Sequence, residues 1–315
     1  MKHKFALPAI ILLLIVFAGC SEDSSTGPDE FGLVSQIIQS VNADSLIHYV
    51  SSLSGNMPVT INGETETISS RHRDFPGNNI AADYIQQKLE QFGLTVTNEY
   101  FSDSGRNIIA SIEGNVNPDN IYIICAHYDC MPPEEVAPGA DDNASGVAAV
   151  IEAARILTHY EFDNTVIFAL WDEEEQGLIG SRAYAGNARN ENINILGVIN
   201  LDMIAWDEND DGVLKVQENA DGSADFICSI LLDVDNDYNL AVEPDTVHYI
   251  GGSDHRSFAE QDYPAILLIE DYSNDWNDYY HSPLDHVSHV NSSFIENCTK
   301  LALGTLSILL GITGN

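Results

Sequence analysis

Val34, Ile37, Ile38 and Val41 recur at the spacing of one helix face. Leu46, Ile47, Val50 and Leu53 resume the pattern after the polar break at residues 42–45, which predicts one or two amphipathic helices. A further stripe, Ile80, Tyr84, Ile85, Leu89 and Phe92, follows Pro76-Gly77 and stops at Gly93, a residue that accepts the left-handed conformation with which helices end. Beyond it, short β-branched runs at 95–101, 108–112, 121–126, 166–170, 195–201 and 266–269 alternate with helical patterns at 145–158, 224–232 and 294–310. Such alternation predicts an α/β fold in which helices flank both faces of a central, mostly parallel mixed sheet. There is no internal repeat and no shift of composition after Glu30, so residues 31–315 are expected to form a single domain.

The chain begins differently. Met1–Lys4 is basic, Ala6–Ala18 is almost wholly apolar, and Gly19-Cys20 follows, the layout of an export signal over residues 1–20. The apolar stretch is shorter than the roughly 18 to 20 residues that a bilayer core requires. Phe17-Ala18-Gly19-Cys20 resembles the lipobox of bacterial lipoproteins, which implies cleavage before Cys20 and its lipidation. Residues 21–30, SEDSSTGPDE, have the composition of a solvated tether. The expectation is an exported bacterial lipoprotein held to a membrane, at the outer membrane or cell surface.

Charge narrows the partners. Twelve Lys and Arg stand against 49 Asp and Glu, a formal charge of -37, which repels phosphate backbones, so no nucleic-acid partner is expected. Most of these acids read as a solvated surface, and a minority as metal ligands. Cys125, Cys130, Cys228 and Cys298 are too sparse for a disulfide scaffold and lack the C-x-x-C spacing of a structural zinc site, so buried free thiols are the simplest reading; export would permit pairing, in any of three ways.

Several acids and imidazoles stand where apolar strands end. The run at 121–126 leads straight into His127-Tyr128-Asp129. In open α/β sheets, ligands gather outside the carboxyl ends of strands. Residues i and i+2 of extended chain face the same way, so Asp129 can hold one imidazole nitrogen and leave the other for a metal. Pro138–Gly146, PGADDNASG, puts Asp141 and Asp142 in a turn-rich loop before a helix, where capping explains one acid but not the cluster. Trp171–Leu178, WDEEEQGL, carries consecutive carboxylates that repel unless solvated or bound to cations. Neighbouring side chains diverge there, so one Glu can ligate a metal while the preceding one faces the water that attacks. Asp202 ends the apolar run 199–201, and His281 lies in the loop after 266–269.

Taken in order, AHYD, PGADDNASG, WDEEEQGLIGS, NLDM and YYHSPLD resemble the co-catalytic di-zinc exopeptidases of family twenty-eight of the metallopeptidases, the bacterial leucyl aminopeptidase type, from about Arg73 to the C-terminus. That resemblance implies Asp142 bridging two zinc ions, His127 and Asp202 completing the shell of one, and Glu175 and His281 that of the other. It implies Glu174 as general base, Asp129 supporting His127, Tyr280 stabilising the tetrahedral intermediate, and a cis peptide between Asp142 and Asn143. The charges agree: two zinc ions bring four positive charges, and Asp142, Glu175, Asp202 and a bridging hydroxide bring four negative ones. The activity implied is hydrolysis of the N-terminal peptide bond of peptides with a free N-terminus.

Two rivals remain: a glutaminyl cyclase on the same fold, and a non-catalytic peptide-binding lipoprotein. A separate signal, Asp207, Asn209, Asp211 and Gly212 followed by Glu218, fits the spacing of an oxygen-ligand calcium loop, although a solvated acidic tip would look similar.

Overall fold

Alternation of apolar runs produces the expected alternation of elements in the computed structural model of the chain, which describes residues 30–249 and 251–314. Two helices, α1 (Glu30–Ser40) and α2 (Ala43–Leu53), precede a small hairpin of β1 (Val59–Ile61) and β2 (Glu64–Glu66). Then come α3 (Pro76–Gln91), β3 (Val96–Tyr100), β4 (Arg106–Ile112), β5 (Asn117–His127) and α4 (Ala144–Leu157). The chain continues through β6 (Glu161–Phe162), β7 (Asn164–Trp171), α5 (Ile179–Asn190), β8 (Ile195–Leu201), β9 (Val213–Glu218), α6 (Asp225–Tyr238), β10 (Glu243–Val247), α7 (His255–Ala259) and β11 (Ala265–Glu270). It closes with α8 (Ser292–Leu310) and β12 (Ile312–Gly314). The signal and lipobox readings, and all of the tether except Glu30, lie outside the described residues. Glu30 itself opens α1, where a carboxylate in the first turn complements the helix dipole.

An 8-stranded sheet runs in the order β10-β9-β11-β8-β5-β7-β4-β3. Its centre, β11-β8-β5-β7, is parallel, as is the β9-β10 edge pair, while β9 against β11, β4 against β7 and β3 against β4 are antiparallel. Its inner strands β7, β8 and β11 are buried and largely apolar along their length because both faces of the sheet are covered there. α4, α8, α1, α2, α3 and α6 share one core with one face, and the small buried positions Ala185 and Ala188 of α5 pack with Phe258 of α7 and Trp171 on the other. α4 is buried along almost its whole length, and a Cβ at its Gly146 would run into the Leu201 carbonyl. Only glycine lets this helix approach the end of β8 so closely. Cys125, Cys130, Cys228 and Cys298 are buried free thiols.

After β5 the chain crosses to β7 on one side and then, through α5, to β8 on the other. The strand order therefore reverses at the carboxyl end of β5, a place where crevices open in such sheets. His127 is the last residue of β5.

Candidate metal centre

His127, Asp142, Glu174, Glu175, Asp202 and His281 arrive from different elements and meet at this crevice. β5 delivers His127, the loop before α4 delivers Asp142, the turn after β7 delivers Glu174 and Glu175, the end of β8 delivers Asp202, and the loop between β11 and α8 delivers His281. The Nε2 of His127 stands 3.2 Å from Asp202 Oδ1 and 3.4 Å from Asp142 Oδ1. The other Asp142 oxygen, Oδ2, stands 3.2 Å from His281 Nε2, which is in turn 2.9 Å from Glu175 Oε2. Asp142 thus offers its two oxygens to two different imidazoles, each accompanied by one further carboxylate.

The turn after β7 separates its carboxylates. Glu173, with φ at 57°, is buried and pairs with Arg73 Nη1 at 2.9 Å, while Glu174 and Glu175 face His127. Asp129 fixes this arrangement more broadly than its spacing suggests. Its Oδ1 lies 3.4 Å from His127 Nδ1, and its two oxygens accept the backbone N–H groups of Glu174 at 3.1 Å and Glu175 at 3.2 Å.

Other supports are not evident from sequence spacing. Ser253 Oγ donates to Asp202 Oδ2 at 2.7 Å and accepts from Asn200 Nδ2 at 2.8 Å. Asp285, in the same loop as His281, accepts the backbone N–H groups of Asp141 and Asp142. Asn143 caps α4 by accepting from Gly146, and its Nδ2 donates to the Leu201 carbonyl, tying the Asp142 loop to β8. The Asp142-Asn143 peptide is cis. Buried Arg71 donates to the carbonyls of Leu53, Tyr128, Pro138 and Gly139, clamping the chain on both sides of this cluster. Neither serines nor a single arginine stand out in sequence, because such partnerships exist only once distant loops are brought together.

Electrostatics mark the cluster as short of positive charge. Burial pushes the Glu174 carboxyl well above its ordinary range, with Asp254, Asp202 and Glu175 adding to it. Burial, then the charge of Asp142, brings Glu175 up to about 7. Burial opposes a charge on the two imidazoles, but the surrounding carboxylates outweigh it, raising His127 and bringing His281 up to about 10. Asp142 goes the other way: burial would raise it, yet His127 and His281 hold it far below the ordinary range.

A divalent cation fits this donor set. Tetrahedral donors about 2.0–2.1 Å from one ion stand roughly 3.3 Å apart, which the separations of 3.2 and 3.4 Å around His127 and 2.9 and 3.2 Å around His281 match. Glu175 Oε1 is buried with no hydrogen-bond partner, an oxygen that a cation would satisfy. A cavity of about 470 Å³ opens over the cluster, walled by Met203, Leu267 and Ile269, with Trp276 and Tyr280 also lining it. The Tyr280 ring stacks on the His281 imidazole at 3.7 Å between centroids.

The acidic stretch at 207–211 behaves differently. Asp207 accepts the backbone N–H of Asp211, Asn209 Oδ1 accepts the same N–H, and Asp211 Oδ1 accepts that of Val213, so these side chains brace their own turn. Glu218 does not join them. It lies in β9 with its Oε1 3.1 Å from His248 Nδ1, because the strand that starts at Val213 carries it away from the loop.

The chain is 31% identical over 203 residues to a protein named "Probable zinc metalloprotease" from Pyrenophora tritici-repentis, covering 53% of this chain and 47% of that one. The chain spans about half the length of the curated relatives it matches. Among solved structures, the LapA aminopeptidase of Legionella pneumophila superposes with a TM-score of 0.75 at 21% identity, over 89% of this chain and 75% of that one. A glutaminyl cyclase of Bacteroides thetaiotaomicron superposes with a TM-score of 0.70 at 20% identity, over 85% of this chain and 98% of that one. Both likenesses show the fold. The family model for "Peptidase family M28" matches residues 107–306, the stretch that holds every residue of the cluster, and the chain belongs to that family.

Proposed function

We propose that the protein is a zinc-dependent aminopeptidase that hydrolyses the N-terminal peptide bond of peptides outside the cytoplasm. The observation that carries this reading is Asp142, whose two carboxylate oxygens face different histidines, His127 and His281, each beside a further carboxylate. Asp142, His127 and Asp202 would hold one zinc ion, and Asp142, Glu175 and His281 a second. Such ions, when bound, polarise the scissile carbonyl and make water nucleophilic near neutral pH.

The chain's own residues supply the rest. Glu174 is buried beside His127 and lines the cavity, and its raised affinity for protons suits a carboxylate that takes a proton from water and delivers it to the leaving amine. The Tyr280 phenol, kept protonated by burial and by the carboxylates of Asp142 and Glu175, is a donor for the carbonyl oxygen as negative charge builds on it. An α-ammonium group is drawn to the excess of carboxylates, and the apolar wall of Met203, Leu267 and Ile269 accepts one side chain. These features support exopeptidase action.

The purified protein is expected to turn over aminoacyl-nitroanilides in a chelator-sensitive way. Glu174→Gln should cut kcat by at least about a thousandfold while zinc content is unchanged. Ammonia released from a peptide with N-terminal glutamine, without nitroanilide turnover, would replace this reading with a cyclase. Absence of both activities from zinc-loaded protein would leave a binding lipoprotein. The sequence of residues 1–20 supports export and a lipid anchor at Cys20, so labelled fatty acid should be incorporated into the parent and not into Cys20→Ala.

A further inference from the structure

Glu218 at the end of β9, Asp225 at the start of α6 and His248 just past β10 each present a ligand atom within 4.8 Å of the others, and none of them belongs to the cluster described above. Glu218 Oε1 is 3.1 Å from His248 Nδ1, and the Glu218 side chain is only 4% exposed. Its second oxygen, Oε2, is buried and has no hydrogen-bond partner. Such an orphaned buried oxygen normally costs about 1–3 kcal/mol and calls for a water or an ion. Asp225 and His248 are exposed, which leaves the cluster open to solvent on one side. The neighbouring thiol of Cys228 is buried beside the two carboxylates; its pKa is pushed up to about 12 by burial and then by Glu218 and Asp225.

We propose that Glu218, Asp225 and His248 form a further binding site for a divalent cation of the zinc type. One imidazole with two carboxylates suits a borderline ion that takes four ligands, the last being water, whereas calcium would ask for six or more oxygens. A cation against Glu218 supplies the partner that Oε2 lacks and neutralises the pairing of two carboxylates. The site has a mechanical consequence. β10 is an edge strand that pairs with β9, and an ion held by residues from three places ties its end to both β9 and α6.

The test uses zinc counted by elemental analysis after dialysis in micromolar zinc, with hydrogen exchange read over residues 243–247. His248→Ala and Asp225→Asn, both at exposed positions that folding tolerates, should each carry one zinc ion fewer than the parent. Zinc should slow β10 amide exchange at least threefold in the parent and leave it unchanged in His248→Ala. Nitroanilide turnover should stay within twofold of the parent. The same one-ion difference should persist in a His127→Ala/His281→Ala background, so a failure of the proposed peptidase centre would show there separately, as zinc content the background does not lose. Equal zinc content in parent, His248→Ala and Asp225→Asn, or β10 exchange indifferent to zinc in the parent, would overturn the proposal.

Discussion

A single carboxylate, Asp129, braces the candidate metal centre at three points. It faces the His127 imidazole at Nδ1 and accepts two backbone N–H groups from the turn that carries Glu174 and Glu175. Asparagine has one accepting tip and one donating tip, so Asp129→Asn would leave one of those N–H groups facing another N–H. Partners of this kind typically control 10–100-fold in metal affinity or activity, and Asp129→Asn should lower zinc affinity or kcat/KM by about that factor; unchanged values for both would show that the turn holds itself. His127 and Asp129 were legible in sequence because an apolar strand ends directly in H-x-D, and chain spacing alone puts both on one side. Ser253 was not legible. Its bond to Asp202 joins residues 51 positions apart and depends on β11 having brought its loop alongside β8.

At the scale of elements, apolar periodicity located the strands that end at the site and the long helices α3, α4 and α8, since these bury broad apolar faces. It did not reveal α5, whose buried positions are Gly180, Ser181, Ala185 and Ala188, too small to make a hydrophobic stripe. β10 was hidden for another reason: EPDTV is an exposed edge strand containing Pro244, and edges tolerate both. The loops that join these elements are held by Arg71, which is fully buried and donates to four backbone carbonyls. Methionine keeps much of its volume but none of its donors. Leaving several buried carbonyls unpaired at about 1–3 kcal/mol each, Arg71→Met should cost at least about 3 kcal/mol, a fall in Tm of roughly 5 °C or more in a thermal melt. A Tm within about 2 °C of the parent would mean that water replaces the guanidinium without loss.

For the whole molecule, the excess of carboxylates makes stability depend on pH in a way that bound cations should reverse. Burial brings Glu175, Asp172, Asp254 and Asp285 up to about 7, against about 4 in an unfolded chain. The folded, metal-free protein therefore holds more protons than the unfolded chain between those values, and the stability these groups contribute is complete below about pH 4 and is lost as pH rises through 7. His281, raised to about 10, acts in the same direction: its contribution is present below about 6.5 and is lost as pH climbs towards 10. Asp142, depressed, contributes above about pH 4 and is constant over this window. Repulsion within a chain of formal charge -37 adds to the decline. Cation binding requires ionised carboxylates and neutral imidazoles, so the stability gained from zinc should grow over the same range. Chelator-treated protein should melt at progressively lower temperature from pH 5 to pH 9, and the increment restored by zinc should widen. A metal-free melt that rises or stays level from pH 5 to pH 9 would show that these carboxyls are already neutralised by the protein itself, and would remove the electrostatic case for cations at the cluster.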